Sequence, residues 1–529
     1  MEREQIRISV RNLVEFILRS GDIDNRRASL DTMEAMQAGS RLHRKIQKKM
    51  GSTYHAEVPL NIIIEEENYE LGIWGRADGI IIEETVTIDE IKGVYLSLDL
   101  LEEPVKVHLA QAKCYAYIYG IQNDLQKINV QMTYGNLDTG DLKYFSYEYS
   151  MQQLQEWFSD LILKYKKWAD FQYEWRKKRQ ASIKELVFPF PYREGQKELA
   201  AGVYRTIARK KNLFIQAPTG VGKTISTLYP AIKAVGEGLG DKIFYLTAKT
   251  VTANVAKETL GILCEKGYRA KSVQITAKEK LCPCEEVDCN PVSCPYAKGH
   301  FDRVNDAVFD ILHEQQGITR KIILDYAEKY QVCPFEFCLD ISSWADGIIC
   351  DYNYVFDPNA RLKRYFADGN QGDSLFLIDE AHNLVSRARE MFSACLVKED
   401  ILLVKKIIKG RSRKLERELE RCNRNLLELK RESAEYRVLP DANLLASNLL
   451  GVMGEFDSFL EEEKEFPERE LVLQFYFDLR HFLNMYDGLD DHYRIYAENV
   501  GVSSFKVRLF CVDPSSNLSL CMAQGNSTI

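Results

Sequence analysis

The spacing of hydrophobic and polar residues divides the first 185 residues into helical and strand-like stretches. Four stretches repeat their apolar residues with the period of a helix: Val10–Leu18, Met33–Ile46, Val107–Tyr119 and Met151–Trp175. Four shorter runs between the second and third helices are typical of strands: Asn61–Ile64, Leu71–Trp74, Gly79–Ile82 and Val86–Ile91. The pattern predicts a mixed domain of helices and strands, with a boundary near residue 185 where Pro189 and Pro191 follow.

From about residue 192 onwards, the apolar residues form short unbroken runs. Five of these runs are typical of buried parallel strands: Leu213–Gln216, Ile243–Leu246, Gly347–Cys350, Leu375–Ile378 and Val507–Val512. Two long insertions, 277–344 and 395–505, interrupt the series, and the second is predicted to be almost wholly helical. Six of its apolar residues follow a spacing typical of a helical hairpin seam: Ile408, Leu415, Leu419, Cys422, Leu426 and Leu429.

The composition is that of a globular protein with several cores. Of the 529 residues, 45% are hydrophobic and 28% are charged, and only 14 are prolines, which excludes a disordered or collagen-like chain. No apolar run approaches the roughly 18 residues that span a bilayer, and the first residues lack a signal-peptide core. We therefore expect a cytoplasmic protein without membrane contact. Because the formal net charge is −8, binding to a nucleic acid would depend on local basic surfaces.

A nucleotide-binding loop follows the first predicted parallel strand. The segment Ala217-Pro218-Thr219-Gly220-Val221-Gly222-Lys223-Thr224 leads directly into a predicted helix. Glycines in such a loop let backbone N–H groups surround phosphates, the lysine reaches the terminal phosphates and the hydroxyl after it binds Mg²⁺. We predict that Thr219, Gly220, Gly222, Lys223 and Thr224 bind ATP.

An acidic box at the end of a later predicted strand completes the nucleotide site. Leu375–Ile378 is followed by Asp379-Glu380-Ala381-His382. A carboxylate in the position of Asp379 holds Mg²⁺, and Glu380 is placed to orient the attacking water. The alternative, a chance loop and a surface acidic pair, leaves the correct order of the two segments unexplained. The two segments therefore predict ATP hydrolysis.

The cysteines are concentrated in the first insertion. Of 13 cysteines, six fall in one short stretch: Cys282, Cys284, Cys289, Cys294, Cys333 and Cys338. Such a local group is typical of a metal site in a reducing compartment. Four thiolates hold an iron–sulfur cluster, and the lack of nearby histidine pairs argues against a Cys₂His₂ zinc site. The spacing leaves a Cys₄ zinc site open.

The amino-terminal domain carries a second set of chemically active residues. Asp78 precedes a predicted strand that contains Glu90 and Lys92, whose side chains point to the same face because they are two residues apart. A metal held by Asp78 and Glu90 beside Lys92 would activate water against a phosphodiester. Taken alone, this short pattern also fits the solvated face of a strand.

The motifs from about 190 to 529 resemble those of the XPD/DinG-like iron–sulfur helicases of superfamily 2. The resemblance rests on Ala217–Thr224, on Asp379–His382, on Asp351-Tyr352-Asn353-Tyr354 and on the cysteine-rich insertion. It implies a 4Fe-4S cluster on Cys282, Cys289, Cys294 and Cys333, with Cys284 and Cys338 as bystanders. It also implies that Gln196 reads adenine, that Thr247 and Thr250 contact the DNA backbone, and that 395–505 is an arch domain.

The amino-terminal motifs are similar to the RecB-type branch of the PD-(D/E)XK nucleases over about residues 30–120. The order is Gly39-x-x-x-His43, then Asp78, then Glu90-x-Lys92, then Gln111-x-x-x-Tyr115. The resemblance implies that His43, Asp78 and Glu90 hold Mg²⁺ or Mn²⁺ and that Lys92 assists catalysis. It implies further that Gln111 and Tyr115 position DNA or the site lysine.

Together these features predict an α/β protein that joins a nuclease-like domain to a RecA-like motor domain with an iron–sulfur insertion and a helical arch insertion. The predicted domains are 1–185 (nuclease), 186–276 with 345–394 and 506–529 (motor), 277–344 (iron–sulfur) and 395–505 (arch). The family would unwind DNA with ATP in the 5′ to 3′ direction, on single-stranded or branched DNA. The chain is expected to end before a second motor domain. Two alternatives are a non-catalytic DNA-binding module and a nucleotide-regulated nuclease that does not translocate.

Overall fold

The computed structural model describes residues 3–25, 33–95, 98–137, 139–218, 220–366, 373–433, 435–463, 466–501 and 504–529. Within these residues the strands form three sheets. Two sheets have six strands each, and the third has four.

The first sheet belongs to the amino-terminal domain. Its elements are β1 (Gln5–Ser9), α1 (Val10–Leu18), α2 (Met33–Gln47), β2 (Tyr54–Glu65), β3 (Glu70–Ile81), β4 (Thr87–Val94), α3 (Lys106–Gln122), β5 (Lys127–Asn136), β6 (Leu142–Ser150) and α4 (Met151–Glu185). The strand order is β1-β3-β4-β5-β6, and β2 pairs with β3 along almost its whole length. The predicted helices are confirmed. The runs Leu71–Trp74 and Gly79–Ile82 are one continuous strand, and β1, β5 and β6 were not predicted.

Local sequence explains where the helices of this domain begin. The Ser9 hydroxyl accepts a hydrogen bond from the Asn12 amide at the start of α1. Ser150 and Gln153 form a reciprocal capping box at the start of α4, which satisfies two backbone donors that have no partner within the helix. The helix α4 is 35 residues long and ends at Glu185, as the predicted domain boundary requires.

The second sheet is the parallel sheet of the predicted motor domain. The elements after α4 are α5 (Gln196–Ala208), α6 (Lys223–Gly236), β7 (Lys242–Leu246), α7 (Thr250–Glu265), β8 (Ser272–Gln274), α8 (Lys278–Leu281), α9 (His300–Glu314), β9 (Gly317–Ile318), α10 (Arg320–Tyr330), α11 (Pro334–Trp344), β10 (Gly347–Cys350), α12 (Asn353–Phe356), α13 (Lys363–Phe366) and β11 (Ser374–Ile378). The sheet order is β16-β11-β7-β10-β8-β9, where β16 is Ser527–Thr528, and neighbouring strands are parallel. Three of the predicted strands therefore lie side by side.

The structure does not form the predicted strand Leu213–Gln216. The backbone there makes only an isolated bridge at Asn212 with Thr528, and the Leu213 amide donates to the Thr528 carbonyl at 2.9 Å. Phe214 is 85% exposed, so the run is not buried as a central strand would be. The strand prediction was wrong because apolar character does not by itself supply a neighbouring strand, and β16 offers only two residues for pairing.

The third sheet corrects the prediction for Val507–Val512. The remaining elements are α14 (His382–Met391), β12 (Ala394–Val397), α15 (Lys398–Ile407), α16 (Arg413–Glu432), β13 (Tyr436–Leu439), α17 (Asn443–Glu462), α18 (Arg469–Asp487), β14 (Tyr493–Val500), β15 (Ser504–Cys511) and α19 (Ser515–Met522). The strand β15 pairs antiparallel with β12 and β14, outside the motor sheet. Its buried residues alternate with partly exposed ones, which is typical of a strand with one buried face. The insertion 395–505 is therefore not wholly helical.

The predicted seam is buried. Ile408 and the α16 residues Leu415, Leu419, Cys422 and Leu426 have no exposed surface, and they pack in the core formed with α17, α18 and the third sheet. None of the described helices is long and apolar enough to cross a membrane.

The amino-terminal domain packs on the rest of the chain through an aromatic cluster and a buried ion pair. Trp168 of α4 lies between Phe16 of α1 and Trp344 of α11, with ring centroids 4.8 Å from each. Arg179 of α4 donates to Asp346 at 2.6 Å and to Asp241 at 2.8 Å. These contacts fix α4 against both the cysteine-rich insertion and the motor sheet.

Candidate nucleotide, metal and DNA sites

The phosphate-binding loop lies at the start of α6. Gly220 and Gly222 have φ angles of +85° and +75°, a region that favours glycine, so the sequence requirement has a conformational cause. Lys223 and Thr224 form the first turn of the helix, where backbone N–H groups favour an anion. Thr219 lies outside the described residues.

The structure brings the acidic box to this loop. Lys223 Nζ is 3.4 Å from Glu380 Oε1, although the two residues are 157 positions apart. Asp379 follows β11, and burial raises its pKa despite a hydrogen bond from the Tyr245 hydroxyl. The hydroxyl of Tyr245 also lies 3.5 Å from Thr224 Oγ1. The two predicted halves of the nucleotide site thus meet at the carboxyl ends of parallel strands, the usual position of a ligand in such sheets.

The backbone at Glu380 is unusual. Its φ angle is +51°, which is uncommon for a residue other than glycine. The Tyr352 hydroxyl donates to the carbonyl oxygens of both Asp379 and Glu380, and it holds this turn in place. Tyr352 belongs to the Asp351–Tyr354 motif, so the structure gives that motif a role in positioning the acidic box.

Gln196 contacts the loop directly. It is 5% exposed, its Nε2 donates to the Val221 carbonyl at 3.1 Å, and its Oε1 accepts from the Arg193 amide at 3.0 Å. The Arg193 guanidinium in turn donates to the Gly220 carbonyl. In this conformation Gln196 holds the predicted phosphate loop in place through the Val221 carbonyl. The contact of Arg193 with the Gly220 carbonyl was not predicted from the sequence.

The cysteines of the insertion converge in part. Cys284 Sγ lies 4.0 Å from Cys294 Sγ, and Cys282 and Cys294 both contribute to the raised pKa of Cys284. Lys278 Nζ lies 3.7 Å from Cys289 Sγ. Among the described residues, however, no three cysteine sulfurs lie within 4.8 Å of one another, so this structure does not bring the four family-matched cysteines together as a ligand set. Cys338 is fully buried elsewhere, where its thiol donates to the Gln274 carbonyl at 3.7 Å.

The donor set of this group suits a thiolate-bound metal. Burial and the neighbouring thiols raise the pKa of Cys284 to about 12, and burial raises the pKa of Cys333 to about 11. A bound metal reverses such shifts because it holds cysteine as the thiolate. The all-thiol donor set fits an iron–sulfur cluster or a Cys₄ zinc site.

In the amino-terminal domain, the structure brings His43 to Asp78. His43 Nδ1 is 3.5 Å from Asp78 Oδ1, and Asp78 Oδ2 accepts the Ile91 amide at 2.8 Å. Although burial lowers the pKa of His43, the hydrogen bond and charge of Asp78 raise it above its ordinary value. Glu57, which the sequence did not single out, completes a group with His43 and Asp78 in which one ligand atom from each lies within 4.8 Å of the others.

Glu90 and Lys92 converge as predicted for one face of a strand. Lys92 Nζ donates to Glu90 Oε1 at 2.7 Å and to Gln111 Oε1 at 3.2 Å, and Gln111 Nε2 donates to the Tyr115 hydroxyl at 3.4 Å. Burial raises the pKa of Glu90 to about 7. Its Oε2 atom is buried without a hydrogen-bond partner among the described residues. An orphaned carboxylate oxygen beside Asp78 fits a bound divalent cation.

A large basic cavity lies beside the motor sheet. Its volume is about 2060 Å³, and it lies between α7, the cysteine-rich insertion and the segment after β10. Thr247 and Thr250 line it at the carboxyl end of β7. Ten basic side chains line it: Lys249, Lys257, Lys278, Lys280, Arg320, Lys321, Arg361, Lys363, Arg364 and Arg387. The four acidic ones are Glu279, Asp325, Glu336 and Asp351. The net positive lining suits a nucleic-acid backbone.

Comparison with known proteins identifies the middle of the chain. Residues 251–401 match the DEAD_2 family. A regulator of telomere elongation helicase 1 homolog from Caenorhabditis briggsae is 24% identical over 263 residues, which cover 41% of this chain and 26% of that protein. The general transcription and DNA repair factor IIH helicase subunit XPD/RAD3 of Saccharomyces cerevisiae is 22% identical over 242 residues, which cover 38% of this chain and 30% of that protein.

A solved XPD helicase structure aligns with a TM-score of 0.41 and 16% identity over 64% of this chain and 57% of its own. The chain spans less than a third of the two curated relatives. The DEAD_2 match and the two curated relatives confirm the predicted likeness to XPD-type helicases of superfamily 2 for the central region.

Proposed function

We propose that this chain is part of an ATP-dependent DNA helicase of the repair or recombination type, moving 5′ to 3′. The observation that carries the proposal is the contact between Lys223 and Glu380, which unites a phosphate loop and an acidic box beside a basic cavity. Thr224 and Asp379 would hold Mg²⁺, Lys223 would bind the terminal phosphates and Glu380 would orient water. The domain boundaries predicted from the sequence, with β15 assigned to the arch, remain part of this proposal.

The motor proposal is tested by DNA-stimulated ATP hydrolysis. Lys223→Ala removes the phosphate-binding ammonium, so turnover should fall by at least about a hundredfold. Lys197→Ala, an exposed lysine of α5, should leave turnover unchanged. Equal turnover in Lys223→Ala and the native chain would assign the hydrolysis to another site. Strand displacement coupled to ATP distinguishes a helicase from both alternatives, the DNA-binding module and the regulated nuclease.

We further propose a fused, metal-dependent DNA nuclease. The supporting observation is the convergence of His43, Asp78 and Glu90 with Lys92, together with the unpartnered oxygen of Glu90. When bound, Mg²⁺ or Mn²⁺ would supply a water of lowered pKa. Lys92 is held by Glu90 and Gln111 so that its ammonium faces the carboxylates, where it would stabilise a phosphodiester's developing charge. Tyr115 keeps Gln111 in place.

Cleavage of single-stranded DNA without ATP tests the nuclease. Mn²⁺ should support cutting by the native chain, and Lys92→Ala should abolish it because the charge at the site is lost. Lys106→Ala, an exposed lysine at the start of α3, is the matched control and should cut normally. If Lys92→Ala cuts as fast as the control, the activity belongs to a contaminant or to a different site. Such a result would favour the non-catalytic DNA-binding module.

We also propose that Cys282, Cys289, Cys294 and Cys333 hold a 4Fe-4S cluster. The sulfur-only donor set supports thiolate ligation, and the family resemblance favours iron over zinc. Cys284 lies within contact of Cys294 and forms a fifth thiol beside this set. Iron and zinc content after anaerobic purification separates the two metals.

A further inference from the structure

Glu57 occupies a distorted position in β2, opposite Asp78. The pairs Ala56 with Gly79 and Val58 with Ala77 are regular, but the ladder is interrupted between them. Glu57 has a φ angle of +55°, a conformation that is strained for a residue other than glycine. Such strain persists only where the surrounding structure holds the residue in place, and here it brings the Glu57 carboxylate to the nuclease site.

Glu57 lies beside two metal-ligating groups and beside Arg76, whose guanidinium is 3.6 Å from Glu57 Oε2 on the exposed side. One ligand atom each of His43, Glu57 and Asp78 lies within 4.8 Å of the other two. Gln47, one helical turn after His43 in α2, donates to Glu57 Oε1 at 3.2 Å and to the Asp78 carbonyl at 3.0 Å. One helix face therefore contributes the imidazole and steadies both acidic residues. An imidazole with two carboxylates is a donor set that suits Mn²⁺ and Mg²⁺.

Glu90 provides a second, independent observation. It is fully buried, its Oε1 accepts from Lys92, and its Oε2 has no partner in the described part of the chain. Asp78 Oδ2 accepts the amide of Ile91, the residue after Glu90, so Asp78 lies beside the strand segment that carries Glu90. Because Glu90 is fully buried with one unpartnered oxygen, its ionised carboxylate fits a cation beside it. Glu90 is not part of the group formed by His43, Glu57 and Asp78, whose ligand atoms lie within 4.8 Å of one another. A single ion therefore does not contact these three residues and Glu90 equally well.

We propose that Glu57, His43 and Asp78 hold a second divalent cation beside the one shared by Asp78 and Glu90. Asp78 is the common ligand, because its Oδ1 faces His43 and its Oδ2 lies at the Ile91 amide of the strand that carries Glu90. The inference rests on the proposed nuclease and assigns it to the two-metal class, in which the attacking and the leaving oxygen each have a cation.

Mn²⁺ binding to the nucleotide-free full chain tests this inference, with free Mn²⁺ measured by electron paramagnetic resonance. The number of ions bound by Asp78→Ala is subtracted from the number bound by the native chain. The difference counts the ions at this site, because an ion at the ATP site binds equally to both proteins. We expect two such ions in the native chain and one in Glu57→Gln. Glu65→Gln alters another exposed glutamate of the same strand and should retain two.

The outcomes separate the two proposals. If Glu57→Gln retains as many Asp78-dependent ions as the native chain, the second site is overturned and the proposed nuclease stands. If Asp78→Ala binds as much Mn²⁺ as the native chain, both proposals fail. A loss of one ion in Glu57→Gln, with two retained in Glu65→Gln, supports the second site.

Discussion

Asp89 and Glu90 are neighbours in β4, and both carboxylates are fully buried. Asp89 accepts hydrogen bonds from Tyr54, Gln131 and Thr133, so its polar atoms are satisfied by the domain itself. Glu90 accepts a hydrogen bond from Lys92 at Oε1, and its Oε2 atom has no partner among the described residues. Successive residues of a strand point to opposite faces, so one position separates a structural carboxylate from a candidate ligand.

At the residue scale we predict a pH-dependent stability from Glu90. Burial raises its pKa from 4.5 to about 7, so the folded protein holds a proton that the unfolded chain has released. Without metal, stability should therefore fall as pH rises from about 4.5 to about 7, by up to about 3 kcal/mol. Thermal unfolding in a chelator at pH about 5 and about 8 should show a smaller fall for Glu90→Gln than for the native chain.

The control for this prediction is Glu148→Gln, since Glu148 is exposed. It should keep the pH dependence of the native chain. An equal fall in Glu90→Gln and Glu148→Gln would mean that Glu90 is not the titrating group.

At the element scale, α11 carries two cysteines in different environments. Cys333 is the N-cap residue of the helix, whereas Cys338 lies in its second turn, is fully buried and donates its thiol to the Gln274 carbonyl. The sequence assigned Cys333 to the cluster through the family spacing. The structure adds the physical difference between the two thiols, because Cys338 already has a protein partner.

The two cysteines of α11 form a matched pair for testing the cluster. Cys333→Ser should lose iron and the absorbance near roughly 400 nm that Fe–S thiolate clusters show, because a ligand is removed. Cys338→Ser should retain both. Iron content and the visible spectrum after anaerobic purification are the measurements. Full iron in Cys333→Ser would remove that residue from the ligand set.

The helix α4 gives a second prediction at this scale. Arg179 pairs with Asp346 and Asp241, and Trp175 Nε1 donates to Asp346 at 2.8 Å. Because both guanidinium and Asp346 are buried, Arg179→Met leaves a carboxylate without its counter-charge and should destabilise the fold by about 3–5 kcal/mol. Lys178→Met removes an exposed charge and should change stability by less than about 0.5 kcal/mol. Urea unfolding measures both, and similar values would contradict the anchoring role.

At the scale of the whole molecule, two basic surfaces are candidates for the proposed contact with DNA. One is the large cavity lined by Lys249 and Lys257. The other is α16, whose lysines and arginines pair in part with glutamates, as Arg421 does with Glu418 at 3.6 Å. Because ten basic and four acidic side chains line the cavity, we propose that it binds the DNA strand in preference to α16.

Charge reversal distinguishes the two surfaces. Lys257→Glu should weaken binding to single-stranded DNA about tenfold at low salt and lower the slope of log K against log salt by about one, because a phosphate contact is lost. Lys414→Glu, the matched exposed change on α16, should have a much smaller effect. Fluorescence anisotropy across a salt series measures both. A larger effect of Lys414→Glu would move the DNA to the arch.

The sequence by itself determined what depends on neighbouring residues. The helical periods of α1, α2, α3 and α4, the phosphate loop with its two glycines, the acidic box and the spacing of Glu90 and Lys92 are local features, and the structure has them where the sequence indicates. Local geometry is sufficient for these because each depends on a few consecutive backbone angles.

Only the tertiary structure decided what depends on pairing across the chain. The strand β15 joins an antiparallel sheet because β12 and β14 flank it, and the segment at Leu213 has too short a neighbour to form a strand. Glu57 is indistinguishable in sequence from other glutamates of an amphipathic strand, and it becomes a candidate ligand because an interrupted ladder turns it toward His43 and Asp78. Long-range contacts have no local sequence signature, since residues far apart in the chain supply each half of them.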